Sequence, residues 1–248
     1  MKIFGVIPAR YASERFPGKP MTPIAGVPMV VRVYKRALAS GIFGELVVAT
    51  DDKRILALCR GHKIPALMTE SDHISGSDRV YEAARLVGKD ADIIVNVQGD
   101  EPLLDPEALI CLVRPLRFLG SNNEAVASAY ARITDSAEYN DNNVVKVVLS
   151  ANGKALYFSR ANIPCSLDGG MPEYVYRHVG LYAYTRSALE HFVQLPPGRL
   201  EEVERLEQLR LLENGIPIFM EEIDIPAPAV DIPADVAVIE AMLASNRK

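Results

Sequence analysis

The sequence predicts an α/β fold built on a mostly parallel sheet, with a smaller β-rich lobe. Three observations carry this expectation. Short apolar runs alternate with segments of helical period over roughly the first 120 residues. Each of those runs ends in a polar cluster, and beyond about Ser121 the texture changes to shorter, more β-rich segments.

Taken in order, Lys2–Ile7 is an apolar run that leads through Pro8 into a loop ending at Lys19. Pro28–Ser40 reads as a helix, with proline in its first turn and Gly41 after its end. Leu46–Thr50 is a second buried strand, followed at once by Asp51, Asp52 and a helix to about Arg60. Ser77–Val87 reads as helical, and Ile93–Val97 is a third strand that empties into Gln98-Gly99-Asp100-Glu101-Pro102. Asp105–Leu119 is helical again, with Pro115 as an interruption. Such a βαβαβα order calls for a parallel sheet covered on both faces, whose ligand crevice lies outside the strand carboxyl ends.

The later strands are Ala125–Ala131, Val144–Leu149, Ala155–Phe158 and Val175–Tyr184. Helices follow at about Ser187–Gln194 and Leu200–Asn214, then a strand, Pro217–Ile223, and a C-terminal helix from Asp235. The organisation read from this is one domain over 1–248: a core over about 1–120, a lobe over about 121–215 and a return to the core over about 216–248.

Composition excludes several classes. A net charge of -5 with 7% aromatic residues and no tryptophan argues against nucleic acid as a partner. No apolar stretch is long enough to span a bilayer, and nothing resembles a signal peptide. The three cysteines, Cys59, Cys111 and Cys165, are far apart and odd in number, so a reducing cytoplasm is the expected compartment.

The loop after the first strand carries Arg10, Arg15 and Lys19, with Gly18 just before the lysine. Three cations and a glycine there suit a polyphosphate; a solvated basic loop is the competing reading. The GxxxxGK[ST] phosphate loop is excluded, because it would need glycine at Ser13 and a hydroxyl at Pro20. Asp100 closes a buried strand, where a carboxylate suits Mg²⁺ or serves simply as a turn residue. Asp231 sits at a strand-to-helix junction and by itself reads as a cap. Ser75, Gly76 and Arg79 open a helix and suit a base, a phosphate or plain capping. Glu207 falls on one stripe with Leu200, Val203 and Leu211, so a carboxylate on an apolar face calls for a partner, either Arg210 or a polar ligand. Arg160 and His178 are lone polar residues in strand-like surroundings.

With these residues assembled, the chain resembles the 3-deoxy-manno-octulosonate (Kdo) cytidylyltransferase family, the CMP-Kdo synthetases. IPARYASERFPGKP, VATDD, SGSDR, VNVQGDEP, VKVV, ALYFSR, RHVGLYAY, LEQLR and VDIPAD occur in the family's order, essentially end to end. RFPGKP separates it from the sialic-acid activating enzymes. The resemblance implies a Rossmann-like nucleotidyltransferase core, a homodimer built through the smaller lobe, and the reaction of CTP with an eight-carbon sugar acid to give CMP-Kdo and pyrophosphate for lipopolysaccharide or capsule. It also implies roles. Arg10, Lys19 and Arg15 would hold the triphosphate, and Ala9, Ser75, Gly76 and Arg79 the cytidine. Asp100 and Asp231 would bind Mg²⁺. Gln98, Arg160, His178, Tyr182, Glu207 and Gln208 would contact the sugar acid.

The chain departs from the family pattern at a few positions. Ser77 replaces the usual Thr, and Ala229 and Ile232 replace a glycine and a threonine around Asp231. Cys165 follows Pro164 where an aromatic residue is common. Two alternatives stay open at this point. One is the same chemistry on the 8-amino analogue of Kdo, suggested by Leu195–Arg210; the other is a catalytically silent nucleotide-binding regulator on the same fold. A nicotinamide-dependent dehydrogenase would need a glycine fingerprint that is not here.

Overall fold

The computed structural model describes residues 1–12, 15–73, 75–119, 123–224 and 228–245. Its first strand, β1 (Ile3–Pro8), is buried from Ile3 through Ile7 without alternation. Successive side chains point to opposite faces, so this strand is covered on both. The loop after it closes in a single 3₁₀ turn (Lys19–Met21), followed by a small hairpin of β2 (Pro23–Ile24) and β3 (Val27–Pro28). Helix α1 (Met29–Ala39) buries Met29, Val30, Val33 and Ala37 on one stripe. β4 (Glu45–Thr50) leads into α2 (Lys53–Gly61), whose N-cap Asp52 accepts from the Arg54 amide at 2.8 Å. A three-residue strand, β5 (Ala66–Met68), then precedes α3 (Gly76–Leu86) and β6 (Ile93–Asn96). α4 (Pro106–Leu119) runs straight through Pro115, where the sequence suggested an interruption.

The chain folds as two compact units, Met1–Ile110 with Pro226–Lys248, and Cys111–Ile225. In the first, β1 pairs in parallel with β4 on one edge and β6 on the other, and β4 pairs with β5. The chain steps outward from β1 to β5 and then returns to the far side of β1 as β6. That reversal places a topological switch point between the carboxyl ends of β1 and β6, where open α/β sheets bind ligands.

The second unit contains β7 (Val126–Arg132), α5 (Ser136–Asn140), β8 (Lys146–Leu149), β9 (Ala155–Ser159) and β10 (Tyr176–Thr185). α6 (Arg186–Phe192), α7 (Arg199–Glu204), α8 (Leu209–Glu213) and β11 (Ile218–Glu222) complete it. β7 pairs with β11 in parallel and with β10 antiparallel, while β8 joins β10 to β9. The last helix, α9 (Asp235–Ser245), belongs to the first unit. Among the described residues, no helix is long and apolar enough to cross a membrane.

One expected element is not formed as read. The helix over Leu200–Asn214 is two short helices, because Arg205 turns left-handed (φ 54°) and ends α7. Leu200 and Val203 are exposed (39% and 83%), so the stripe that placed Glu207 on an apolar face does not exist. Glu207 lies in the turn between α7 and α8.

Candidate active site

In the first unit, the ends of β1 and β6 enclose a cleft of about 580 Å³. Ala9, Arg10, Arg15, Lys19, Gly76, Gln98, Gly99 and Asp100 all line it. A larger depression of about 630 Å³ lies against α9, but Ala237, Val238, Ala241, Met242 and Ser245 offer no charge to an anion.

Close packing of the two strand exits depends on Gly99. A Cβ there would lie 2.6 Å from the Pro8 carbonyl oxygen, well inside contact distance. Gly18 meets a backbone requirement of its own. Its φ of 74° is left-handed, and a side chain would press on the Tyr11 ring at 3.2 Å. Tyr11 in turn carries the Arg54 guanidinium 3.3 Å from its ring centroid, and its carbonyl accepts from the Gly18 amide at 2.9 Å. The basic loop is therefore clasped at both ends.

Lys19 organises the acids. Its Nζ donates to Asp100 Oδ2 at 2.8 Å and to the Val230 carbonyl at 3.0 Å, and lies 3.9 Å from Asp231 Oδ1. Arg15 reaches the same Asp231 carboxylate at 3.1 and 3.4 Å. The Val230 amide donates to the Asp100 carbonyl at 2.9 Å. Two aspartates 131 positions apart in sequence (231 − 100) thus share one ammonium. The turn that holds Asp231 depends on Asp235, whose carboxylate accepts from the amides of Asp231 (2.7 Å) and Ile232 (2.9 Å). These two amides hold the Asp235 carboxyl below the usual range, and Ile232 needs no hydroxyl for the turn to form. Arg10 is exposed, and Nη1 reaches the His73 carbonyl at 3.5 Å.

The segment expected to take a base is built on buried charge. Ser75 and Asp78 form a capping box at the start of α3, with Ser75 Oγ accepting from the Asp78 amide at 3.2 Å. Arg79 is fully buried, and its guanidinium donates to Thr69 Oγ1, to the Glu70 carbonyl at 3.1 Å and to Asp51 at 2.9 Å. Burial lowers its pKa, and Asp51 opposes that shift. Arg79 thereby ties the first turns of α3 to Thr69, Glu70 and Asp51. His73 is held by Glu82 at 2.6 Å.

The remaining sequence candidates lie in the second unit. His178 and Tyr182 stand on β10 with ring centroids 5.5 Å apart, and Phe158 meets the His178 ring edge-on at 4.9 Å. Burial, with the Arg177 charge added, pushes the His178 imidazole down to about 3, so it is neutral at pH 7. Burial, then Tyr184 and Glu207, hold the Tyr182 phenol well above its ordinary range. Gln208 is buried beside Glu207. Arg210 forks onto Glu201 at 2.6 and 2.7 Å.

Arg160 is held by residues that the sequence did not single out. Glu204 accepts from the Ser159 hydroxyl at 2.6 Å and the Arg160 amide at 3.0 Å, while its own carbonyl takes Arg160 Nε at 2.9 Å. Lys146, fully buried, spends all three protons on the carbonyls of Asp141, Val144 and Arg160 at 3.0, 2.7 and 2.8 Å. Burial lowers its pKa. The available signal was a lysine inside an otherwise apolar strand, VKVV, where an ammonium must find buried acceptors. Cys165 is exposed.

Comparison with known proteins agrees with this geometry. A family model described as cytidylyltransferase matches residues 4–223. The chain is 46% identical to the 3-deoxy-manno-octulosonate cytidylyltransferase of Syntrophobacter fumaroxidans, over 99% of this chain and 98% of that one. It is 43% identical to the 8-amino-3,8-dideoxy-manno-octulosonate cytidylyltransferase of Shewanella halifaxensis, over 98% and 99%. The solved structure of a CMP:2-keto-3-deoxy-manno-octonic acid synthetase complexed with CTP superposes with a TM-score of 0.93 at 40% identity, covering 99% of this chain and 100% of that one. With a matched model over most of its length and relatives aligned from end to end, the chain belongs to the cytidylyltransferase family.

Proposed function

We propose that this chain transfers the cytidylyl group of CTP to Kdo, giving CMP-Kdo and pyrophosphate. The observation that carries the reading is the cation-lined cleft at the β1–β6 switch point, with Asp100 and Asp231 converging on Lys19 at its mouth. Arg10, Arg15 and Lys19 hold the triphosphate, with Ala9 and the Ser75–Gly76 turn against the cytidine. Gln98 stands in the cleft wall. Arg160, His178, Tyr182, Glu207 and Gln208 take the sugar acid.

The donors at Asp100 and Asp231 are all oxygen, and they already share one cation; that set fits a hard divalent ion completing its shell with phosphate and water. Mg²⁺ bound there would neutralise charge on the polyphosphate. The sugar's anomeric oxygen forms a bond to the α-phosphorus as the bond to the bridging oxygen breaks, and the hydroxyl proton is released. Lys19, Arg10 and Arg15 offset the charge that collects on the departing pyrophosphate.

The same proposal places the protein in the cytoplasm as a homodimer. The exposed Leu156 and Val203 (62% and 83%) support the association, and light scattering tests it. The similarity to an 8-amino relative favours a second reading in which only the sugar differs. Pyrophosphate release with CTP and Mg²⁺ separates the two when Kdo, its 8-amino analogue and N-acetylneuraminate are compared. Release with Kdo alone is the expected result, and preference for the analogue would move the assignment. Silence with all three, from folded protein that binds CTP, would overturn the proposal.

A further inference from the structure

Ser128 on β7 is fully buried, and its hydroxyl lies 2.9 Å from His178 Nε2. It also lies 2.9 Å from the Leu181 carbonyl and 3.4 Å from that of Val179. A β-bulge brings these groups together. β10 slips register against β7 between Val179 and Tyr182, and Ser128 is the residue opposite Tyr182. The slip turns two carbonyls inward onto a single hydroxyl.

A serine hydroxyl has one proton to donate. The Leu181 and Val179 carbonyls can only accept, so that proton goes to them. Toward His178 the Ser128 oxygen is therefore the acceptor, and Nε2 must carry a hydrogen. The imidazole is neutral in its buried setting, so Nδ1 holds a lone pair. No described residue bonds to that Nδ1.

The geometry points to Ser128 as a positioning residue that fixes His178 in the Nε2–H form, so that Nδ1 accepts a hydrogen bond from a hydroxyl of the acid sugar. This rests on the cytidylyltransferase reading for the identity of the ligand, but not for the tautomer. Without Ser128 the imidazole could turn a donor toward a hydroxyl whose proton it should receive. A filler of the bulge would do neither.

The experiment is ¹⁵N NMR of His178 in the ligand-free, full-length protein, paired with kinetics on Ser128→Ala and Ser128→Thr. The chain has four histidines, so the His178 resonances are identified by their loss in His178→Gln. The expected wild-type spectrum shows a protonated Nε2 and an unprotonated Nδ1 at pH 7. Ser128→Ala should mix the tautomers and raise the sugar KM by about tenfold, consistent with one lost orienting hydrogen bond, while the CTP KM stays within about twofold. Ser128→Thr, which keeps the hydroxyl, should restore both. A wild-type spectrum with the proton on Nδ1, or an imidazolium, would overturn the inference even if Ser128→Ala failed to fold. An unchanged tautomer and sugar KM in folded Ser128→Ala would do the same. Should the Nε2–H form be seen and lost as expected while none of the three sugars turns over, the fault lies with the substrate assignment and Ser128 keeps its place.

Discussion

At the scale of single residues, the site is a set of charges that hold one another before any ligand arrives. Lys19 occupies the acids that a metal would need, so Lys19→Ala should have two opposite effects. Turnover should fall by orders of magnitude, while Mn²⁺ binding to the nucleotide-free protein, followed by electron paramagnetic resonance, should tighten. Unchanged turnover would remove Lys19 from its role. Asp100→Ala should nearly abolish turnover and leave the circular dichroism spectrum intact; near-normal activity would take Asp100 out of the proposed metal site. His178 gives the protein an acid-side sensitivity. Its pKa is about 3 when folded against 6.5 for the free side chain, so the unfolded chain binds the extra proton first. The neutral form contributes nothing unfavourable above pH 6.5, and stability is lost as pH falls from there toward 3. Urea melts should show His178→Gln losing less stability than wild type across that window.

At the scale of elements, β1, β4 and β6 were legible because parallel strands buried on both faces read as unbroken apolar runs. Their exits were legible because each run gives way to a polar cluster, at Arg10–Lys19, Asp51–Asp52 and Gln98–Glu101. The stripe through Leu200, Val203, Glu207 and Leu211 failed for a physical reason. Four positions can match a helical period by composition alone, and nothing in Arg205 announces a left-handed residue. That residue gives a test: Arg205→Gly suits φ 54° and should raise stability by about 0.5–1 kcal/mol in a chemical melt. A lower stability would mean that the Arg205 side chain does more than turn the chain. β5 escaped notice because three residues carry too little pattern. Lys146, Glu204 and Ser128 escaped because their partners are backbone groups or side chains distant in sequence, which no spacing displays.

At the scale of the whole molecule, the first unit is discontinuous: Met1–Ile110 is completed by a segment that follows the entire second unit. By itself Asp231 read as a cap, since no spacing rule joins it to Asp100; the family resemblance alone paired the two. What brings it there is the turn held by Asp235. Asp235→Ala should therefore cut turnover by about tenfold without unfolding the protein, and Asp235→Asn, which can still accept from the two amides, should recover part of it. Equal activity in all three proteins would mean that the Asp231 turn is set elsewhere.

The contact of Lys19 with Val230 and Asp231 also has a consequence in time. A ribosome delivers the basic loop early and Asp100 next, then must build every residue of the second unit before the other acid emerges. During that interval the nascent chain carries half of its acidic pair and no means of completing it. A product truncated anywhere in the insert thus keeps the cations of the basic loop and Asp100 but never gains Asp231.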